Sequence, residues 1–368
     1  LDGHNMPLLI TTLKNIKDNR EPILLHVVTK KGKGYPPAER EPVRFHGTGP
    51  FDIDTGLSLS EKKISRPRTY TEAFSEKLLE LSKQDKRIVA ITAAMPEGTG
   101  LDKFRNLYPE RFFDVGIAEA HAACFAAGLA KGGLRPVVAL YSTFLQRAYD
   151  QLIEDTALQD LPVIFAIDRA GIVGEDGLTH QGIFDIAFLR NIPGFIVMAP
   201  KDGQELGQML EFALKQNKPV AIRYPKSACP PGYLTTSPLE LGRAEVLKEG
   251  NDFAIFSLGS MVAASQEALE LLRNSGLSGT LINSRFVKPL DVTLIKRIAQ
   301  KVKFIFSAEE GILEGGFGSA LSETIDRPVI KIGLPCEFIP HARRELMLEK
   351  YGLTAGAIAN RIKSVMNA

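Results

Sequence analysis

Cysteine is scarce in this chain. Its 368 residues hold three, Cys124, Cys229 and Cys336, far apart and odd in number. They make neither a zinc-type spacing nor a disulfide framework, which points to reduced thiols in a reducing compartment. Cys124, inside an Ala-rich run, reads as a small core residue. An excess of either charge is also lacking: 45 Lys and Arg face 43 Asp and Glu, a formal net charge of +2. With no Lys/Arg tract interleaved with aromatics, nucleic acid is not an expected partner. Nor is a membrane. No run of about 18 apolar residues occurs, and the opening LDGHNMPLL has neither a basic n-region nor a small-residue cleavage site. The first residue is Leu instead of Met, so the true N-terminus is expected to lie upstream. Short-period repeats and low-complexity segments are absent. What remains is a globular composition, 44% hydrophobic and 24% charged, long enough for two full domains and part of a third.

Hydrophobic spacing divides the chain. Residues 1–20 carry Leu8, Leu9, Leu13 and Ile16 at helical intervals. ILLHVVT then reads as a buried parallel strand, running into KKGKGYPPAE. That basic, Gly-rich turn is either a ligand loop past a strand end or a solvated loop. Residues 40–68 are rich in Pro, Gly, Ser and charge and read as a linker. Helix and strand alternate from Tyr70 to about residue 225, and again from 252 after the polar KSACPPGYLTTSPLELG. Such alternation predicts α/β domains, each a parallel sheet covered by helices. The boundaries fall at 1–65, the end of a first domain plus linker, 66–235 and 236–368. GTLINSRFV reads as one strand of the last domain, and the chain ends in one helix.

The chemistry-bearing residues gather in a few stretches. In FFDVGIAEAHAACFAAGLA, Ile117 to Ala130 reads as a helix with small residues packed on nearly all sides, and Glu119 falls in its first turn. There a carboxylate either caps the helix or does chemistry. YSTFLQRAYDQ supplies Tyr141, Phe144, Arg147 and Asp150, the last two spaced for a surface ion pair or for a site. IDRAGIVGEDGLTHQG supplies Asp168, Arg169, Asp176 and His180, with four glycines that let the backbone fold back tightly. No third residue has the spacing of a metal ligand beside Asp176 and His180. That pair suits acid/base work or a hydroxyl contact. Arg223, in AIRYP, ends another strand. Arginines on neighbouring strand ends suit a phosphate. His46 lies between aromatics in RFHGTGPFD, as an incidental loop histidine or a site residue.

These same segments resemble the pyrimidine-binding domain of the 1-deoxy-D-xylulose-5-phosphate synthases, thiamine-diphosphate enzymes of the transketolase superfamily. LHVVTKKGKGYPPAE and FHGTGPFD resemble the end of that family's first domain, and RFVKPLD and IGLPCEFIPH its last. The resemblance implies a thiamine-diphosphate-binding fold followed by a transketolase C-terminal-like domain. It implies condensation of pyruvate with D-glyceraldehyde 3-phosphate, with loss of carbon dioxide, in isoprenoid and vitamin biosynthesis. By this resemblance Glu119 holds the cofactor pyrimidine at its ring nitrogen, Phe144 packs against it and Tyr35 is a further cofactor contact. Tyr141, Arg147, Arg169 and Arg223 bind substrate, and His46, Asp176 and His180 hold hydroxyls or move protons. A homodimer and a cytoplasmic, bacterial location also follow, with a plastid as the alternative had a transit peptide been lost.

One family feature is missing. The superfamily holds Mg and the cofactor diphosphate through a Gly-Asp-Gly motif and a later Asn, and this chain has no Gly-Asp-Gly. Gly174-Glu175-Asp176-Gly177 imitates it, but Asn191 follows too early. The metal ligands are therefore expected in an absent N-terminal domain of the same protein, and the chain alone is expected to be inactive. Two other readings remain. One is the beta subunit of a 2-oxo-acid dehydrogenase decarboxylase component, which should lack the KGKGY tail. The other is a non-catalytic assembly module using GILEGGFGSALSE, whose glycines lack the dinucleotide fingerprint.

Overall fold

The computed structural model describes residues 1–367 except 43, 47, 60–66 and 231–236. They fall into two compact units, Leu1–Arg66 and Pro67–Ala368. In the first, helix α1 (Met6–Ile16) starts where the Asn5 side chain accepts from Leu8 N at 3.1 Å, an N-cap that satisfies one free helix donor. None of its residues is buried. Helix α2 (Pro36–Arg40) follows the basic turn. ILLHVVT does not form the expected strand. Its single pairing is the bridge Asp2↔Val28, and Leu24 is 95% exposed. An apolar run becomes a strand only where a neighbour takes up its backbone groups in a ladder, and among the described residues only the bridge and one bond from the Leu1 amino group to His26 O do so.

The second unit holds two sheets. The first combines β1 (Ile88–Thr92), β2 (Phe112–Asp114), β3 (Arg135–Tyr141), β4 (Ile164–Asp168), β5 (Ile196–Met198) and β6 (Val220–Arg223). Helices α3 (Tyr70–Gln84), α4 (Asp102–Leu107), α5 (Glu119–Lys131), α6 (Ser142–Leu145), α7 (Tyr149–Gln151), α8 (Asp185–Leu189) and α9 (Gly203–Leu214) connect and cover them. The second sheet takes β7 (Glu245–Lys248), β8 (Phe253–Ser257), β9 (Gly279–Asn283), β11 (Phe304–Ile312) and β12 (Val329–Leu334), while β10 (Phe286–Lys288) belongs elsewhere. Its helices are α10 (Met261–Arg273), α11 (Val292–Lys301), α12 (Phe317–Ser322), α13 (Arg344–Lys350) and α14 (Ala355–Met366), so the chain ends in two helices instead of one.

Strand order in the first sheet is β10-β5-β6-β4-β3-β1-β2, parallel throughout except for β10. The fully buried strands alternate between faces, as the two-residue period requires. Val137 and Ala139 join Tyr70, Phe74, Leu206 and Met209 of α3 and α9 on one side. Val138 and Leu140 join Ala122, Ala126 and Leu152 on the other. That second core continues into Ala254, Phe256 and Ile282 of the second sheet. The second sheet, β12-β11-β8-β9-β7, is parallel apart from β7.

GTLINSRFV is two strands, not one. Between β9 and β10 the backbone of Arg285 turns left-handed, φ +58°, a conformation that costs energy for a residue with a Cβ. The turn sends β10 to pair antiparallel with β5 of the first sheet. Arg285 is held there by buried contacts. Its Nε donates to Glu205 Oε1 at 2.8 Å, Nη2 lies 3.2 Å from Glu245 Oε2, and Lys201 Nζ donates to Glu245 Oε2 at 2.8 Å. Two cations and two carboxylates thus join the sheets, the arrangement in which buried charge is tolerated.

Candidate active site

Open parallel sheets present ligand-binding groups beyond the carboxyl ends of their strands. Here β3 ends at Tyr141, β4 at Asp168 and β6 at Arg223, and the register sets Tyr141 beside Asp168 and Ile167 beside Arg223. Helix α5 begins at Glu119 just after β2. Its Ala122, Ala123, Ala126, Ala127 and Ala130 are buried, but His121, Cys124 and Gly128 are exposed. The helix therefore packs on one side and not all round, and Cys124 is a surface thiol, not a core residue. Alanines on the inner face allow that close approach; three positions on the outer face meet no core. All three cysteines are free.

Glu119 occupies the first position of α5 and is 3% exposed. The residue before it, Ala118, makes no side-chain cap. Its Oε2 has no hydrogen-bond partner among the described residues. The Arg147 guanidinium sits 3.3 Å away through Nε and is half-exposed, near enough for charge attraction but not aligned to donate. A buried carboxylate oxygen left without a donor is costly unless something else supplies one. Arg147 is offered by the helical run after β3, which packs against α5. The run is irregular, passing from α6 through a tight 3-10 turn and α7 into a π-helical stretch over Leu152–Ala157. Asp150 contacts Gln151 instead of Arg147.

One turn before Arg147, the Phe144 ring stacks on Tyr141 with centroids 5.8 Å apart and meets His180 edge-on at 5.3 Å. His180 Nδ1 is 2.9 Å from Thr179 Oγ1. Arg169 lies over the other member of the stack, 3.7 Å from the Tyr141 centroid, a cation–π contact. It also donates to Gly98 O at 2.7 Å and stands 3.5 Å from Asp176. Burial pushes the Tyr141 hydroxyl up to about 12, so it remains a neutral donor at physiological pH. Asp176 is half-buried, which raises its carboxyl, but the Lys226 ammonium at 2.7 and 2.9 Å more than compensates and holds it low. Behind this group Asp168 is fully buried. Burial raises it to about 6 despite Arg169 and the Thr71 hydroxyl, which donates at 2.7 Å.

Tyr141, Phe144, Arg169, Asp176 and His180 therefore form one connected cluster, and Glu119 of α5 and Arg147 of the helical run after β3 form a second. Arg223 does not join Arg169. It is 4% exposed, donates from Nε to Asp185 at 2.9 Å and from Nη2 to the Glu310 carbonyl at 2.9 Å. Tyr35 and His46 belong to the first unit. Tyr35 donates to Ile53 O at 2.8 Å and packs edge-on against Phe45, and exposed His46 meets Lys31 Nζ at 2.8 Å through Nδ1. Among the described residues no group of three or more His, Cys, Asp or Glu could hold a metal ion. Three cluster members escaped the sequence reading: Thr71, Lys226 and the Gly98 carbonyl. Their residue types are ordinary and lie 50 to 97 positions from the partners they meet, so no local pattern marks them.

The glycines of GILEGGFGSALSE do not form an open anion site. Glu309 from the chain itself accepts from Phe317 N and Gly318 N at 2.7 Å each, filling the start of α12. Burial lifts that carboxyl to about 7 in spite of both donors.

Comparison with known proteins agrees with this architecture. Residues 66–231 match the family description "Transketolase, pyrimidine binding domain" and residues 242–358 match "Transketolase, C-terminal domain". The chain is 50% identical over 370 residues to the 1-deoxy-D-xylulose-5-phosphate synthase of Natranaerobius thermophilus, covering 98% of this chain and 58% of that protein. It is 49% identical over 377 residues to the synthase of Heliobacterium modesticaldum, covering 100% of this chain and again 58% of the relative. Among solved structures it superposes with a TM-score of 0.75 at 31% identity on a split-gene transketolase solved as an inactive beta4 tetramer, covering 82% of this chain and 99% of that one. A transketolase from Campylobacter jejuni shares the fold at TM-score 0.70 and 19% identity. The chain belongs to the transketolase family, carrying its pyrimidine-binding domain followed by its C-terminal domain.

Proposed function

We propose that the chain is the pyrimidine-binding and C-terminal part of a 1-deoxy-D-xylulose-5-phosphate synthase, which condenses pyruvate with D-glyceraldehyde 3-phosphate and releases carbon dioxide. Relatives at about half identity across the chain support the reaction. The observation that carries the site is the unpartnered Oε2 of buried Glu119. A carboxyl group lacking a donor at the head of a helix fits a ring nitrogen of the thiamine diphosphate pyrimidine, with which it can share a proton in a water-poor setting. Thiamine diphosphate, when bound, supplies the nucleophilic carbon and the electron sink that decarboxylation needs.

The remaining work falls to the chain's own side chains. Phe144, stacked on Tyr141, offers an apolar wall beside Glu119's partner Arg147. Tyr141 stays protonated and donates to a substrate oxygen, while Arg147 neutralises charge near Glu119. Arg169 and Arg223 take the triose phosphate, Arg169 leading because two of Arg223's guanidinium nitrogens are already engaged. Asp176 and His180 hold hydroxyls or pass a proton to the oxygen formed from the aldehyde, and His46 is given the same kind of role on the family resemblance alone. Tyr35 is a further cofactor contact. Mg and the diphosphate are anchored outside this chain, by the first domain. The protein works as a cytoplasmic homodimer.

The chain spans 58% of the length of these curated relatives. To complete the enzyme, the first domain is added as a separate polypeptide. Glu119→Gln, which keeps the shape but removes the exchangeable carboxyl proton, is expected to lower product formation in the completed enzyme about a hundredfold or more. Activity within about threefold of the unsubstituted protein would remove Glu119 from its assigned role.

A further inference from the structure

The loop that carries Asp176 and His180 leaves β4 through a left-handed Arg169, φ +57°, and closes on itself by paired bonds between Gly171 and Gly182 at 2.6 and 2.8 Å. At its base the backbone N–H and C=O of Ile172 are held by two side chains of the C-terminal domain. Ile172 N donates to Glu310 Oε1 at 2.7 Å, and Arg344 Nη1 donates to Ile172 O. Arg344 also forks onto both oxygens of Glu310, with Nη2 to Oε2 at 2.7 Å, and Ser260 Oγ donates to the same Oε2 at 2.9 Å. Burial works against the Glu310 charge, but Arg344 outweighs it and keeps the carboxyl low. Backbone contacts are equally close. A Cβ on Gly171 would overlap the Glu310 carboxyl, and one on Gly174 would stand 2.6 Å from Arg344 N and 2.9 Å from Ala342 O. Gln181 accepts from Val173 N at 2.9 Å and reaches Pro340 O at 3.4 Å.

We propose that Glu310 and Arg344 are positioning residues: a charged clamp from the C-terminal domain that fixes the base of the 169–182 loop and so sets where Asp176 and His180 stand relative to Tyr141 and Phe144. The clamp deepens the proposed function, because its catalytic consequence rests on Asp176 and His180 serving the substrate. A bidentate Arg–carboxylate pair is rigid as well as strong. Anchored at both backbone groups of one residue, and so at two consecutive peptides, the loop cannot slide along its strand end. Without the fork, the left-handed residues leave it free to choose other conformations.

Hydrogen–deuterium exchange on this chain tests the clamp without reference to any activity. Arg344→Met is expected to speed exchange of the 170–182 amides about tenfold or more while β3 and α5 keep their protection. Arg344→Lys, with charge but no fork, should restore part of it, and added methylguanidinium should restore Arg344→Met. Loop exchange that is unchanged, or that rises equally through β11, α13 and α14, overturns the clamp. Should Arg344→Met not fold, Ser260→Ala, which removes one donor to Glu310, must show a smaller rise at the same amides, and no rise there overturns it. In the completed enzyme the clamp variants should lose about tenfold in kcat/KM for the aldehyde with unchanged thiamine diphosphate affinity; equal loss of cofactor affinity overturns the positioning role. If the unsubstituted completed enzyme is inactive, the proposed reaction fails, and the exchange result still decides the clamp.

Discussion

Asp168 shows how far one residue's surroundings can move its chemistry. It is an ordinary strand-end carboxylate in the sequence and a fully buried one in the fold, raised to about 6 by desolvation. Between about pH 4 and pH 6 the folded chain keeps a proton that the unfolded chain has released. Stability from this group therefore falls as pH rises through that window, by about 3 kcal/mol in all. Asp168→Asn removes the charge that burial penalises. Its melting temperature relative to the unsubstituted chain should rise between pH 4.5 and 7.5, and a constant difference would mean that Asp168 is not desolvated as described. Glu119 differs in kind. Its burial and its place at a helix start are legible in FFDVGIAEAHAACFAAGLA, but the missing donor at Oε2 is a property of three-dimensional packing. Arg223 is instructive in the opposite sense. The sequence marks it as a strand-end arginine, and only the fold shows it engaged by Asp185 and the Glu310 carbonyl.

Helices and strands were largely legible because their signals are local. The fold adds a capping box at the start of α3, one such local signal that the alternation pattern does not use: Glu72 N donates to Thr69 Oγ1 at 3.2 Å and Thr69 N to Glu72 Oε2 at 2.8 Å. Thr69→Ala should cost about 1 kcal/mol by urea titration; a loss below about 0.3 kcal/mol would show that packing of Tyr70 and Phe74 alone fixes the helix start. The elements that misled do so for non-local reasons. ILLHVVT has a strand's composition but lacks a neighbour, and GTLINSRFV has one strand's periodicity but a left-handed break at Arg285. The break is invisible in sequence because the fold, not Arg285 itself, selects it. Through it β10 crosses to the first sheet, which a boundary at 235/236 does not anticipate.

For the second unit as a whole, that crossing strand and a buried charge group add to the shared apolar core in tying two sheets together. Lys201, Glu205, Glu245 and Arg285 balance as two charges of each sign, all buried. Arg285→Met leaves two carboxylates facing one ammonium and should cost about 3–5 kcal/mol in urea unfolding. A cost under about 1 kcal/mol would imply that water reaches the group. A separate link joins the C-terminal domain to the pyrimidine-binding domain, where Glu310 and Arg344 reach the 169–182 loop directly.

The most direct measurement mixes this chain with the separately produced first domain of the Natranaerobius synthase, thiamine diphosphate, Mg, pyruvate and D-glyceraldehyde 3-phosphate, and follows 1-deoxy-D-xylulose 5-phosphate. The expected result is product from the mixture, none from either part alone, and saturable cofactor binding only in the mixture. Saturable binding of thiamine diphosphate and Mg by this chain alone would place the diphosphate anchor within it. Pyruvate decarboxylation without condensation would instead assign the chain to the 2-oxo-acid dehydrogenase class.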